Sequence, residues 1–157
     1  MRLDYATVLP AAHAAMLGLE QVVHDSGLDP RLLELVKLRA SQINGCARCL
    51  EMHAADARAL GEEQSRLDLI AAWPEADGFS QRERAALAWC EALTLIAETH
   101  APDAVYDQLA RNFAPAEIAA LSLAITTINS WNRLNISLRV PTGGYVSRRK
   151  PAPRPVD

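Results

Sequence analysis

The sequence predicts an all-α fold, a compact multi-helix domain, and three observations carry that expectation. Half of the 157 residues are hydrophobic but only 5% are aromatic. Ala and Leu dominate, a balance that favours helix over sheet. Helix start and stop signals recur along the chain, and no stretch alternates with period two for long enough to make a strand. No internal repeat at a fixed period is present either.

The elements follow in order. Pro10 to about Asp25 reads as a first helix, with Ala14, Leu17 and Val22 among its apolar residues, and Ser26-Gly27 stops it. Asp29-Pro30 is a helix start, with Asp as N-cap and Pro in the first turn. The helix from there to Asn44 buries Leu32, Leu35 and Val36, with Ile43 near its end. Asn44-Gly45 ends it and lets a second begin, from Cys46 to about Leu60, stopped by Gly61. A short helix spans Glu62 to Ala72, closed by Trp73-Pro74. Ser80-Gln81-Arg82-Glu83 matches a capping box and opens a helix to about Thr99. Another covers Pro102 to Asn112, and Pro115 starts the last, which ends before Pro141.

Length and charge bound the rest. A chain of 157 residues makes one domain with a sizeable core, placed here at 1–146. Residues 147–157 form a basic, Pro-rich tail expected to be disordered, since it has too little apolar surface to offset the entropy of ordering. That tail carries a balance of +3 and the remainder −6, so the net is −3. The tail could bind an acidic partner, but a solvated end needs no function and is favoured. A net charge so mild argues against nucleic acid. The uncharged run Tyr5–Leu19 follows Arg2, but Asp4, Pro10 and His13 interrupt any leader-like apolar core. No uncharged run makes a membrane span, so a cytoplasmic protein is expected. Three cysteines, with two in a motif spacing, fit a cytosolic redox or metal pair better than a stapled secreted scaffold.

The chemistry concentrates in Glu34 to His53. Cys46, Cys49 and His53 stand at i, i+3 and i+7, on one face of the helix that begins near Gly45. A cysteine in the first turn meets unpaired N–H groups and the positive end of the dipole, which favour the thiolate. Arg48 adds a fixed positive charge, and His53 can take or give a proton. If the two helices form an antiparallel hairpin about Asn44-Gly45, Glu34 comes level with His53 and can fix its tautomer, directly or through a water. Three ligands on one helix plus Glu34 could also hold zinc. Structural zinc sites usually draw on two separated knuckles, however, so the redox reading is favoured. Taken alone, Glu34 reads as a solvated helix charge flanked by Arg31 and Lys37. His13, His24 and His100 carry no pattern, and Cys90 beside Trp89 reads as a buried structural thiol.

The last helix has no charge from Ala119 to Asn132, so it is expected to be buried in the domain or an interface. Ser122, Thr126, Asn129 and Arg133 make one polar stripe on it, facing the Cys cleft, a neighbouring subunit, or other helices of the same chain. Trp131 and Asn132 lie off the stripe and are assigned to packing.

The run ELVKLRASQINGCARCLEMH resembles the core of the alkylhydroperoxidase D (AhpD)-like branch of the carboxymuconolactone decarboxylase superfamily. That pattern is Glu, then Cys-x-x-Cys after eleven residues, then His after three more, and Glu34, Cys46, Cys49 and His53 match it. Ile128–Leu134 (INSWNRL) is similar to a further segment common there, so the likeness spans most of residues 10–141. The resemblance implies an all-helical homo-oligomer, trimeric or hexameric, with peroxidase or disulfide-reductase chemistry and no metal, flavin or other cofactor. It makes Cys49 the peroxide-attacking thiol and Cys46 the resolving one, with Glu34 and His53 relaying protons and a dithiol protein as electron donor. Arg48 departs from the best-studied members, which carry His there. Arginine cannot pass a proton, though it can support a thiolate.

The residues themselves divide over the attacking thiol. Proximity to the helix N-terminus favours Cys46, whereas His53 one turn on favours Cys49. The dipole is worth at most about 1–2 kcal/mol, and a positioned acid–base roughly a hundredfold or more in rate. A thiol-dependent peroxidase acting through Cys49 is the expected function. The alternatives are a lactone decarboxylase-type enzyme, which has no evident use for a Cys pair, and a redox-sensing or zinc-binding module.

Overall fold

The computed structural model describes residues 1–150. Every regular element among them is helical: α1 (Tyr5–Val8), α2 (Pro10–His24), α3 (Pro30–Asn44), α4 (Ala47–Ala59), α5 (Gln64–Leu69), a 3-10 turn (Ile70–Ala72), α6 (Gln81–Thr94), α7 (Ile96–Thr99), α8 (Asp103–Ala110) and α9 (Pro115–Ser137). None of these helices is long and apolar enough to cross a membrane.

The molecule is built around α3, which packs against α4, α6 and α9. A helix apolar on two sides must be covered on two sides. Leu32, Leu33, Val36 and Ala40 join one cluster with residues of α6, α8 and α9, among them Ala85, Leu109, Ile125 and Ile128. Leu35 and Leu38 join a second with Ala57, Leu67, Ile70, Phe79 and Leu87. What remains of the circumference is polar. Glu34, Lys37, Ser41 and Asn44 fall at i, i+3, i+7 and i+10, one stripe, and the first three are at most 4% exposed.

Three elements differ from expectation. The helix expected from Ser80 to Thr99 breaks at Leu95 into α6 and α7. There the Thr99 hydroxyl donates to the Ala92 carbonyl at 2.6 Å, an acceptor that a continuous helix would give to the Ile96 N–H. The helix expected over 62–72 is α5 followed by a 3-10 turn, tightened ahead of Pro74. And α1 was not anticipated: Asp4 caps it by accepting from the Thr7 N–H at 3.4 Å, and the Thr7 hydroxyl donates to its other oxygen at 2.8 Å. One turn is too short to leave a periodic signal.

After α9 the chain reverses. The Val140 N–H reaches back to the Asn135 carbonyl at 3.0 Å, with Arg139 left-handed at φ 52°, a helix ending that redirects the chain. Residues 141–150 then run back over α4 as a strap without regular structure. Gly143 (φ 96°) donates its N–H to the Glu51 carboxylate at 2.9 Å. The segment expected to be disordered began at 147, yet Arg149 is packed onto buried carboxylates. Residues 151–157, the rest of that expectation, lie outside the described residues.

Candidate active site

The site is assembled at the α3–α4 turn. Gly45 takes φ 72°, and the Cys46 N–H closes the end of α3 on the Ser41 carbonyl at 3.0 Å. Cys46 therefore leaves the helical conformation. It is the N-cap of α4 (φ −85°, ψ 94°), not a first-turn residue as the sequence suggested. Its sulfur accepts the Cys49 N–H at 3.3 Å, the bond that an N-cap side chain makes. The two sulfurs are joined as a disulfide, so the structure is the oxidised form.

Glu34 meets His53 directly: Oε2 stands 2.7 Å from Nδ1. The hairpin expected about Asn44-Gly45 delivers this contact without an intervening water. Burial raises the Glu34 carboxyl pKa. The hydrogen bond with His53 and the charges of His53, Lys37 and Arg149 lower it by more, so it lies below its ordinary value. The flanking charges are not its helix neighbours' in the expected sense. Arg31 pairs with Asp29, and Lys37, only 4% exposed, pairs with Glu20. Trp131 donates to the other Glu20 oxygen at 3.1 Å.

A second carboxylate joins the pair. Asp56 lies one turn past His53, and single donor atoms of Glu34, His53 and Asp56 fall within 4.8 Å of one another. Such a trio has the composition of a metal site, and all four of its carboxylate oxygens already have partners within the chain. Arg149 bridges Glu34 (3.4 Å) and Asp56 (3.9 Å), and the Tyr145 hydroxyl donates to Asp56 at 2.9 Å. Burial, then the bonded Asp56 carboxylate, push the Tyr145 phenol up to about 12. The zinc set weighed from sequence needs both thiolates, which the disulfide consumes.

Cys49, not Cys46, opens onto a cavity of about 640 Å³ that His53, Asp56 and Lys37 also line. One wall is aromatic: Tyr5, His13 and Trp131 pack with ring centroids 5.7–6.2 Å apart. The Asn135 amide donates to the Cys49 sulfur at 3.3 Å. Arg48 lines the same cavity, its guanidinium 3.0 Å from Glu51 and over the Tyr145 ring. The positive charge expected there is thus shared with a carboxylate.

The α9 stripe lies elsewhere. Asn129 is buried and bonds Asn44 (2.9 Å) and Thr94 (3.1 Å), while Arg133 donates back to Asn129. Ser122 accepts from Trp89 at 2.9 Å. Asn129 therefore ties α9 to α3 and α6, Arg133 donates within α9, and neither residue lines the cleft. The face that does is Ile128, Trp131 and Asn135, about 150° round the helix. Trp131 therefore lines the cavity besides packing, and Asn132, fully buried, bonds Asn44 and Ser41. Asp56 was legible from its spacing, at i+7 from Cys49 and i+3 from His53. Asn135, Tyr145 and Arg149 left no local signal.

Residues 10–92 match the carboxymuconolactone decarboxylase family, a stretch that contains Glu34, both site cysteines and His53. The chain belongs to the carboxymuconolactone decarboxylase family. Within that family it is similar to YdfG of Bacillus subtilis, an uncharacterised protein, at 37% identity over 87% of this chain and 93% of that one. YnjA of Escherichia coli, also uncharacterised, is 29% identical over 76% of this chain and 65% of that one. Among solved structures, ATU0492 of Agrobacterium tumefaciens shares 40% identity with a TM-score of 0.88, over 92% of this chain and 99% of that one. It is described as of unknown function and bears a provisional AhpD antioxidant-defence name. With the family match, it places the chain on the AhpD-like branch. The debrominase Bmp8, solved with 2,3,4-tribromopyrrole, has a TM-score of 0.78 at 19% identity, covering 86% of this chain and 72% of that one. That likeness is one of fold alone.

Proposed function

We propose that the protein is a thiol-dependent peroxidase that reduces organic hydroperoxides through a Cys46–Cys49 disulfide cycle, with a dithiol protein as electron donor. The observation that carries this reading is the division of labour at α4: Cys49 faces the cavity with His53, while Cys46 lies behind it at bonding distance. In the reduced form, His53 takes the Cys49 proton, and the imidazolium is stabilised by Glu34. The Cys49 thiolate attacks the outer peroxide oxygen and the O–O bond breaks. Sulfur keeps the hydroxyl as a sulfenic acid, and the leaving alkoxide takes the proton from His53. Cys46 then attacks the sulfenic sulfur, hydroxide leaves as water with the Cys46 proton, and the disulfide forms. A dithiol restores both thiols by exchange, supplying two electrons and two protons.

The test is the pair of single variants. Cys49→Ser should abolish reaction with cumene hydroperoxide. Cys46→Ser should react once and leave a sulfenic acid on Cys49 that dimedone traps by mass. Dimedone on Cys46 in Cys49→Ser, with Cys49 unlabelled in the other variant, would reverse the assignment. No consumption of hydroperoxide by the wild type with dithiothreitol present would sink the peroxidase reading itself.

A further inference from the structure

The cavity beside Cys49 is polarised in a way the peroxidase chemistry does not require. Its apolar wall is Tyr5, Leu17, Met52, Ile128, Trp131 and Val140. Four cations also line it, Lys37, Arg48, Arg148 and Arg149, together with two carboxylates, Glu20 and Asp56. With Glu34 and Glu51, which pair with Arg149 and Arg48, the four cations meet four carboxylates. Reducing a neutral hydroperoxide needs a thiolate and a proton donor, not a guanidinium left without a partner at the opening.

The pairing is uneven. Lys37 is matched by Glu20, and Arg149 by Glu34 and Asp56. Arg48 shares Glu51, whose carboxylate also accepts from the Gly143 N–H. Arg148 has no ion pair among the described residues. It lines the main cavity and also an adjoining depression that it shares with Arg48, Tyr145 and Val146. Two guanidinium groups thus border one opening, and the strap 141–150 supplies one of them. Its placement is fixed by three tethers: Gly143 on Glu51, Tyr145 on Asp56 and Arg149 on Glu34.

A planar guanidinium matches a carboxylate through two parallel N–H bonds, and an aromatic-walled hollow matches an apolar body. We propose that the strap completes a substrate site for carboxylate-bearing organic molecules with an apolar, aromatic-sized body, and that Arg148 is the residue that recognises the acid group. The reactive half of that substrate, the hydroperoxide, rests on the peroxidase reading; the carboxylate site rests on the cavity alone. The substrate class is then an anionic organic hydroperoxide, bound body against Trp131 and Tyr5 and acid at the strap.

The experiment uses two pairs of probes that differ in charge. Calorimetric titration of the disulfide form compares 4-phenylbutyrate with the neutral 4-phenylbutyramide. The acid should bind about tenfold tighter or better, as one charge-assisted bond pair allows. That ratio should fall with added salt, collapse toward one in Arg148→Ala and invert in Arg148→Glu. Arg148 is exposed, so neither variant removes core packing. In turnover with dithiothreitol, the ratio of kcat/KM for 4-(2-hydroperoxypropan-2-yl)benzoate to that for cumene hydroperoxide should follow the same order. Equal binding of acid and amide by the wild type, or a preference that survives Arg148→Glu, overturns the carboxylate site. Failure to consume either hydroperoxide while the Arg148-dependent preference for 4-phenylbutyrate persists removes the peroxidase reading and supports the carboxylate site.

Discussion

Asn135 donates to the Cys49 sulfur from a helix more than eighty residues away in sequence, and no motif contains it. On reduction the same amide faces a thiolate, and a hydrogen bond to a charged group contributes about 1.5–3 kcal/mol. Asn135→Ala should therefore raise the pH at which Cys49 alkylates by roughly one unit or more. The profile of iodoacetamide reaction against pH, with Cys46→Ser as background, measures it. An unmoved profile would make Asn135 a packing residue. Glu34 offers a second test at this scale. Its folded pKa lies below the ordinary 4.5, because its partners outweigh its burial. Such a group contributes stability that is fully present above the ordinary pKa and is lost as pH falls through the folded one. Glu34→Gln should lower urea stability near neutral pH by roughly 1–3 kcal/mol and flatten the loss of stability below about pH 4.5. Parallel acid limbs for variant and wild type would count against the ion pair. Cys90 is the counterexample to reactivity. Full burial pushes its thiol up to about 12, so the third cysteine is inert, as its apolar helix implied.

At the scale of elements, the α3–α4 turn determines whether the site forms. Gly45 ends α3 in the left-handed region, and that single residue sets Cys46 as an N-cap with its sulfur on the Cys49 N–H. Nothing lies within 4 Å of where a Gly45 Cβ would be, so a substitution meets only the backbone strain of φ 72°. Gly45→Ala should cost about 1–2 kcal/mol, or roughly 2–6 °C in Tm. If the turn also sets the thiols, the disulfide of that variant should become easier to reduce. A Tm unchanged by the substitution would show the turn to be relaxed. The strap is the other element that matters. Composition marked its end, from residue 147, as the start of a disordered tail, because Pro and Arg offer little to a core. Three polar tethers hold residues 141–150, and of the three only that of Arg149 falls in the expected tail; tethers of that kind depend on carboxylates that only the folded molecule brings into reach.

For the whole molecule, the expected homo-oligomer changes its grounds. The charge-free stretch of α9 suggested an interface, but Leu121, Ala124, Ile125 and Ile128 are buried within the chain, against α3 and α6. A run of apolar surface is left over on α2. Ala11, Ala15, Leu19 and Val22 share one exposed face, with Val22 59% exposed and Val8 63% exposed just before it. We expect a homo-oligomer, trimeric or hexameric as the family resemblance implies, that covers this face. Light scattering at micromolar concentration should give a mass above the monomer, and Leu19→Glu with Val22→Glu should return a monomer that keeps its helical circular dichroism. A wild-type monomer, or a double variant of unchanged mass, would be decisive against it.

How much was readable without coordinates follows from the range of each interaction. Helix identity and order, the caps at Asp29 and Ser80, and the four residues Glu34, Cys46, Cys49 and His53 were legible, because helix periodicity and capping act over three to seven residues. The hairpin that joins Glu34 to His53 needed only one turn signal, Asn44-Gly45, and two helices of known rise. The polar stripe on α9 was legible as a stripe but not as to its neighbour, since a rotation of about 120° separates Asn129 from Asn135 and nothing local sets the rotation. Packing set it: Ile125 and Ile128 had to meet α3, and Asn129 then fell on Asn44. Likewise the sequence alone placed the thiols, the carboxylate and the imidazole, whereas the tertiary structure alone brought Asn135, Tyr145, Arg148 and Arg149 to them. Those contacts close loops of eighty residues and more, and their partners are chosen by burial and charge across the fold, not by spacing along the chain.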